Sequence, residues 1–297
     1  MGIPRYSVNW QPQTREQLIQ TIRNDQTSGA AQLAELALQG LQAWLAQEAV
    51  SAGELNEVLD DLKHSRPSMV ALANALDRCQ DQFEQFPDPD NVSAAASDTV
   101  ARVLDQLTRA GQEVAKHAAE LVSDGAVILT HSRSSQILQF IQQLSQQSRR
   151  FSVICTQSSP GNEGFTLAEE LDQLAIEVTV ITDAQLGLFV PEASLAVVGC
   201  DTWLTDNHFV NKSGTYLLAL AAREHNLPVW VLADSFKQGA QSHRTVGLEE
   251  MAVDEIGAPD GAHIHPRNIY FECVPSRLVT GRVSEKGASW FPAEPAP

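Results

Sequence analysis

The stretch "AVILTHSRSSQILQFIQQL" (126–144) changes character twice within nineteen residues. Residues 126–130 form a short apolar run of strand length. A cluster of hydroxyls and one arginine follows. From about Ser134 the residues Ile137, Leu138, Phe140, Ile141 and Leu144 fall on one stripe at helical spacing. The stretch therefore reads as strand, loop and helix. The same alternation continues downstream. Strand-like runs stand at 151–156 ("FSVICT"), 177–182 ("EVTVIT"), 195–200 ("LAVVGC") and 228–233 ("PVWVLA"). Helical segments separate them at 165–175 ("FTLAEELDQLA") and 214–226 ("GTYLLALAAREHN"). Such alternation predicts a parallel sheet covered by helices. Parallel sheets bind ligands at the carboxyl ends of their strands.

Upstream the pattern is different. From residue 13 to about 123, leucine, alanine and glutamine dominate and β-branched runs are missing. "TREQ" (14–17) and "SAGE" (51–54) fit the helix capping box. "LAELALQGLQAWL" (33–45) puts most of its leucines on one side of a helix. "FPDPDN" (86–91) breaks the helical series with two prolines, and the tail "PAEPAP" reads as disordered. The fold class expected is α/β, with a helical domain over 1–123 followed by an α/β ligand-binding domain over 124–297.

The bulk numbers narrow the function. A formal net charge of −17 opposes a polyphosphate backbone, and no basic cluster offsets it, so no nucleic-acid partner is expected. The four cysteines, at 79, 155, 200 and 273, lack metal-finger spacing; buried free thiols are the reading for Cys155 and Cys200. No apolar run approaches the length of a membrane span, and "MGIPRYSVNW" lacks the apolar core of a signal peptide. A cytoplasmic protein without membrane contact is expected. Neither a metal nor a cofactor is expected: "HIH" (263–265) has no flanking carboxylate cluster, and no G-x-G-x-x-G follows a strand.

Three places carry candidate chemistry. Ser132, Arg133 and Ser134 precede the helix that begins near 135, where free N–H groups and the helix dipole favour an anion. Plain N-capping by serine accounts for the same residues equally well. Asp201 ends an apolar run, and an acid there can serve as general acid or base if its surroundings raise its pKa. Asn211 and Lys212 are expected to open the following helix, where a lysine opposes the dipole and so should face something negative. The bland alternative is a turn aspartate and a solvated lysine. In "HSRPSMVALANAL" (64–76), Pro67 suits a first helical turn with Arg66 just outside it. By itself that arginine reads as surface.

Taken together and in order, these segments resemble the translation initiation factor 2B alpha, beta and delta subunits and the sugar-phosphate isomerases related to them. "RNDQTSGAAQLAELAL" (23–38) resembles the family's S-G-A helix start, "RPSMVALANAL" its R-P-T-A segment, and "ILTHSRSS" its I-L-T-H-C or I-L-T-H-A loop. "VGCD" followed by "NKSGTYLLALAA" resembles V-G-A-D followed by N-K-x-G-T, and "DSFK" with "RNIYFECVPSRLVTGRVSEKG" resembles the closing segments. The resemblance implies a helical N-terminal domain, a Rossmann-like C-terminal domain and a homodimer. It also implies a small phosphorylated ligand, a sugar phosphate or nucleoside monophosphate. The family's isomerases interconvert an aldose 1-phosphate and a ketose phosphate with a cysteine and an aspartate. The aspartate maps onto Asp201; the cysteine position is Ser132, so these are the candidate catalytic positions. Ligand contacts map onto Gly29, Ala30, Arg66, Ser134, Asn211 and Lys212, with Lys237 a weaker match; Arg133 is added as a compensating charge. The family's E-[ST]-R-P loop reads "QSSP" (157–160) here, so Gln157 and Ser159 replace the glutamate and arginine. A serine hydroxyl is a far weaker acid than a thiol and needs an adjacent base. A phospho-ligand binder, regulatory or weakly catalytic, is therefore expected; the alternative is an aldose–ketose isomerase using Asp201.

Overall fold

The computed structural model describes residues 12, 14–25, 28–47, 49–85 and 91–292. The chain divides into two compact units between Arg109 and Ala110. The first is helical: α1 (Arg15–Asn24), α2 (Ala30–Leu45), α3 (Ala52–Ser65), α4 (Val70–Gln85) and the start of α5 (Val92–Glu120). Ser51 caps α3 through both halves of a capping box: its backbone N–H donates to Glu54 Oε2 at 2.8 Å, and Glu54 N donates back to Ser51 Oγ at 3.3 Å. At α1 the Thr14 hydroxyl accepts from Gln17 N. The core of this unit is leucine-rich, with Leu18, Leu33, Leu38, Leu41, Leu59 and Leu72 inaccessible. The breaks expected at 86–91 and in the terminal tail lie, apart from Asn91 and Pro292, outside the described residues.

The second unit begins within α5, ahead of the boundary expected after residue 123. The reason is packing. Val114, Ala115, Ala118, Ala119 and Val122 belong to the same apolar cluster as Ile128, Phe140, Ile141 and Val153. The remaining elements are β1 (Ala126–Thr130), α6 (Ser135–Gln146), β2 (Phe151–Thr156), α7 (Glu163–Asp172), β3 (Val178–Ile181), α8 (Leu186–Phe189), β4 (Leu195–Val198), β5 (Thr202–Trp203), β6 (His208–Lys212), α9 (Thr215–Glu224), β7 (Val229–Leu232), β8 (Phe271–Pro275), β9 (Gly281–Ser284) and β10 (Gly287–Trp290).

Among the described residues a seven-stranded sheet runs in the order β10-β9-β7-β4-β1-β2-β3. Every pair is parallel except β10 on β9. β4 and β7 are buried throughout, as strands covered on both faces must be. The chain runs outward from β1 to β2 and β3, then returns to β4 on the other side of β1. That reversal opens a crevice at the carboxyl ends of β1 and β4. A second, antiparallel sheet, β5-β6-β8, stands beyond β4. It changes one expectation: Asn211 and Lys212 lie on β6, and the helix opens only at Thr215.

Candidate functional site

At the end of β1 the backbone turns sharply. Ser132 has a positive φ of 65°, a region that costs a non-glycine residue energy. Its N–H donates to Ser158 Oγ at 2.7 Å, which holds the turn. Ser158 also has positive φ, and its N–H and that of Ser159 donate to the Asp183 carboxylate at 2.9 and 2.8 Å. Asp183 thus ties the "QSSP" loop to the end of β3.

His131, almost wholly buried, organises this corner. Its Nε2 lies 2.8 Å from the Ser213 carbonyl, which can only accept, so Nε2 carries the proton. Nδ1 then accepts from the Thr156 hydroxyl at 2.6 Å, and Thr156 Oγ1 lies 3.1 Å from Ser158 Oγ. Burial lowers the imidazole pKa, which agrees with a neutral ring. Gly214, at φ +110°, lies so close that a Cβ there would meet the imidazole at 2.6 Å.

These bonds leave the Ser132 hydroxyl without a partner among the described residues. Both His131 nitrogens are committed elsewhere, so no base stands ready to activate the serine. Ser134 is the N-cap of α6, yet its side chain makes no capping bond, and the first-turn N–H groups of that helix have no side-chain acceptor among the described residues. Its Oγ packs against Gly199, where an added Cβ would sit 2.7 Å away. The end of β1 and the end of β4 therefore meet directly. Arg133, expected as a compensating charge, pairs its guanidinium with Glu170 of α7, with Nη2 to Oε1 at 2.9 Å.

Asp201 is half-buried between β4 and β5, held by its N–H on the Val210 carbonyl at 2.9 Å. Its carboxylate accepts no hydrogen bond among the described residues. Burial raises its pKa above the usual carboxylate range; the charges of Lys237 and Lys212 act the other way and Glu163 adds to the rise. Asn211 is buried and donates to Thr215 Oγ1 at 2.9 Å. Lys212 does face a negative group, as expected, but the partner is a protein carboxylate: its ammonium pairs with Glu163 at the start of α7 and lies 4.0 Å from the Tyr270 ring centroid. The N-terminus of α9 is closed off too, because Glu272 accepts from Gly214 N and Tyr216 N.

Lys237 differs from these cations. It is only 4% exposed, yet its ammonium makes no hydrogen bond or ion pair among the described residues. Its charge acts on Cys200, Asp201 and Asp234. Burial raises the pKa of Asp234, which accepts from Phe236 N at 2.8 Å and from Gln136 of α6. Cys200, next to Asp201, has its pKa pushed up to about 12 by burial and stays a thiol at neutral pH. It cannot supply the thiolate missing at Ser132.

In the first unit, Gly29 is the N-cap of α2 with open space where a Cβ would be, and Ala30 is the buried first residue. Arg66 ends α3 and reaches the Asp25 carbonyl; Asp25 in turn accepts from Ser28 N at 2.8 Å. Arg66 thus reaches the turn that leads into Gly29 and Ala30. It caps the end of α3 rather than preceding α4, which starts at Val70. His131 and Asp234 were not singled out as site residues from sequence; the "THS" and "DSFK" segments carried the available signal for them.

Known proteins bear on this geometry. The chain is 34% identical over 281 residues to a putative translation initiation factor eIF-2B subunit 2-like protein of Pyrococcus horikoshii, covering 93% of this chain and 96% of that one. It is 27% identical to a ribose 1,5-bisphosphate isomerase of Archaeoglobus fulgidus, covering 90% and 87%. A crystal structure of translation initiation factor eIF-2B from P. horikoshii superposes with a TM-score of 0.79 at 33% identity, covering 95% of this chain and 98% of that one. Relatives thus include both eIF-2B-like proteins and sugar-phosphate isomerases. A profile of the Initiation factor 2 subunit family matches residues 12–290, and the chain belongs to that family.

Proposed function

We propose that the second unit binds a small phosphorylated ligand, a sugar phosphate or nucleoside monophosphate, as a regulatory or weakly catalytic protein. The observation that carries this reading is Lys237, a buried ammonium with no counter-charge bonded to it. A buried unpaired cation is costly, and an anion entering beside it relieves that cost. The first-turn N–H groups of α6 and the hydroxyl of Ser132, which has no partner among the described residues, supply donors of the kind a phosphate takes. Arg133 and Lys212, already paired, contribute less than their charges suggest. For the first unit by itself, the family resemblance alone supports the proposal that Gly29, Ala30 and Arg66 contact a phosphorylated ligand. The protein acts in the cytoplasm as a homodimer in this reading, with exposed Leu217 and Leu220 of α9 offering apolar surface for association.

Thermal shift against ribose 1,5-bisphosphate, methylthioribose 1-phosphate, ribose 5-phosphate, AMP and GMP tests it. A ligand that binds only the folded state raises Tm, by an amount set by about 2.7 kcal/mol at a hundredfold excess over Kd. Lys237→Ala should abolish the shift. No shift with any phosphorylated compound would overturn the reading.

One observation favours a second reading, an aldose–ketose isomerase. Asp201 is an acid with a raised pKa and an unoccupied carboxylate, poised for proton transfer. NMR of a bound sugar phosphate separates the two. Conversion that is lost in Asp201→Asn, with binding retained, would establish the isomerase.

A further inference from the structure

Away from the strand ends, three potential metal ligands meet at the tip of the β5–β6 hairpin. The hairpin turns through Asp206 and Asn207, and the loop after residue 238 runs beside it. Backbone bonds fix the two together: Gly239 N donates to the Trp203 carbonyl at 2.8 Å and Thr205 N to the Gln241 carbonyl at 3.0 Å. This framework brings His243 to Asp206 and His208. His243 Nδ1 lies 2.5 Å from Asp206 Oδ2, and His208 Nδ1 lies 3.5 Å from Asp206 Oδ1. The two imidazoles stack at 4.2 Å between centroids, and one donor atom from each of the three residues lies within 4.8 Å of the others.

We propose that Asp206, His208 and His243 form a binding site for a divalent transition ion of the Zn2+ class. Two imidazoles and one carboxylate suit zinc, cobalt or nickel, whereas Mg2+ and Ca2+ prefer oxygen-only sites. Tetrahedral ligands at normal zinc distances stand about 3.3 Å apart, so small side-chain rotations close the set. The ligands are partly exposed, so an ion reaches them from solvent and a water completes the coordination. The hairpin tip and the 239–245 loop are held by backbone bonds without the ion, so it enters a prepared frame. Bound there, the ion clips that loop to the hairpin whose far end carries Asn211 and Lys212. Sequence spacing does not reveal the set, because His243 joins it from 35 residues beyond His208.

The test is titration of chelator-stripped full chain with Co2+, followed by its visible ligand-field bands, and calorimetry with Zn2+ and with Mg2+. One Zn2+ per chain is expected, with no comparable binding of Mg2+. His208→Ala and His243→Ala should each weaken Zn2+ more than the roughly 10–100-fold typical of losing an outer partner. Both are surface changes, and circular dichroism of the stripped variants checks that the fold persists. A further variant, His263→Ala with His265→Ala, removes the exposed imidazoles of the 261–265 loop and should leave binding unchanged. Absence of saturable Zn2+ binding would overturn the proposal. So would binding that survives loss of both His208 and His243, or that disappears with His263 and His265. None of these readouts involves a phosphorylated ligand, so the outcome is independent of the function proposed above.

Discussion

Ser132 occupies a positive-φ turn at the end of β1, and the bonds around it decide its chemistry. Its N–H is spent on Ser158, its hydroxyl has no partner among the described residues, and the neighbouring imidazole is turned to Ser213 and Thr156. A hydroxyl in that position can donate to a ligand but has no base to deprotonate it. Asp201 and His131 make opposite contributions to pH dependence. Asp201 has a raised native pKa, so the unfolded chain loses that proton first and stability falls as pH rises through the unfolded value near 3.9. Asp201→Asn should therefore raise Tm at neutral pH, and the gain should vanish in acid; thermal melts across pH check this. His131 has a lowered native pKa, so the stability owed to its neutral form is present above about 6.5 and is lost as pH falls from there toward the native value. His131→Asn should flatten that limb of the denaturation profile while lowering stability at neutral pH. Cys200, its pKa pushed up to about 12, should resist alkylation in the native state at mildly alkaline pH and react only on unfolding.

At the scale of elements, helix termini carry specific bonds whose loss can be measured. The reciprocal bonds of Ser51 and Glu54 predict that Ser51→Ala costs about 1 kcal/mol, readable from urea denaturation. At the start of α9, Gly214→Ala meets both a left-handed backbone and the His131 ring. It should destabilise by more than about 1 kcal/mol and disturb the corner that holds Ser132. The periodicity of 126–144 identified β1 and α6 because both bury one continuous face. The β5–β6 hairpin was not legible. β5 has two residues, too few for alternation to register, and its turn carries no Asn-Gly or Asp-Gly signal. That is why Asn211 and Lys212 read as a helix start although they lie on a strand.

At the scale of the molecule, the division between units follows packing rather than composition. Sequence grammar changes near residue 124, but the last turns of α5 supply Val114, Ala115, Ala118, Ala119 and Val122 to the core of the second unit. A fragment starting at 124 should be less stable than one starting at 110 by more than about 3 kcal/mol, given about 0.8 kcal/mol per buried methylene. Chemical denaturation of the two fragments measures the difference. The charge of −17 fits this scale as well. An anionic protein needs local cations to bind an anion, and Lys237 is buried without a bonded carboxylate among the described residues.

The sequence by itself determined the α/β class, the helical first part, the place of Ser132 and Asp201 just past strand ends, and the family. These follow from periodicity and from motifs that are local in the chain, and local order survives in one dimension. The tertiary structure alone decided which charges are free. Lys212 and Arg133 find Glu163 and Glu170, and His131 finds Ser213, across separations of 37 to 82 residues. No spacing rule anticipates such partners, because they meet only when the sheet brings its strand ends together. The chain order shows that a lysine or a serine is present; the folded neighbourhood sets whether it has a ligand left to bind.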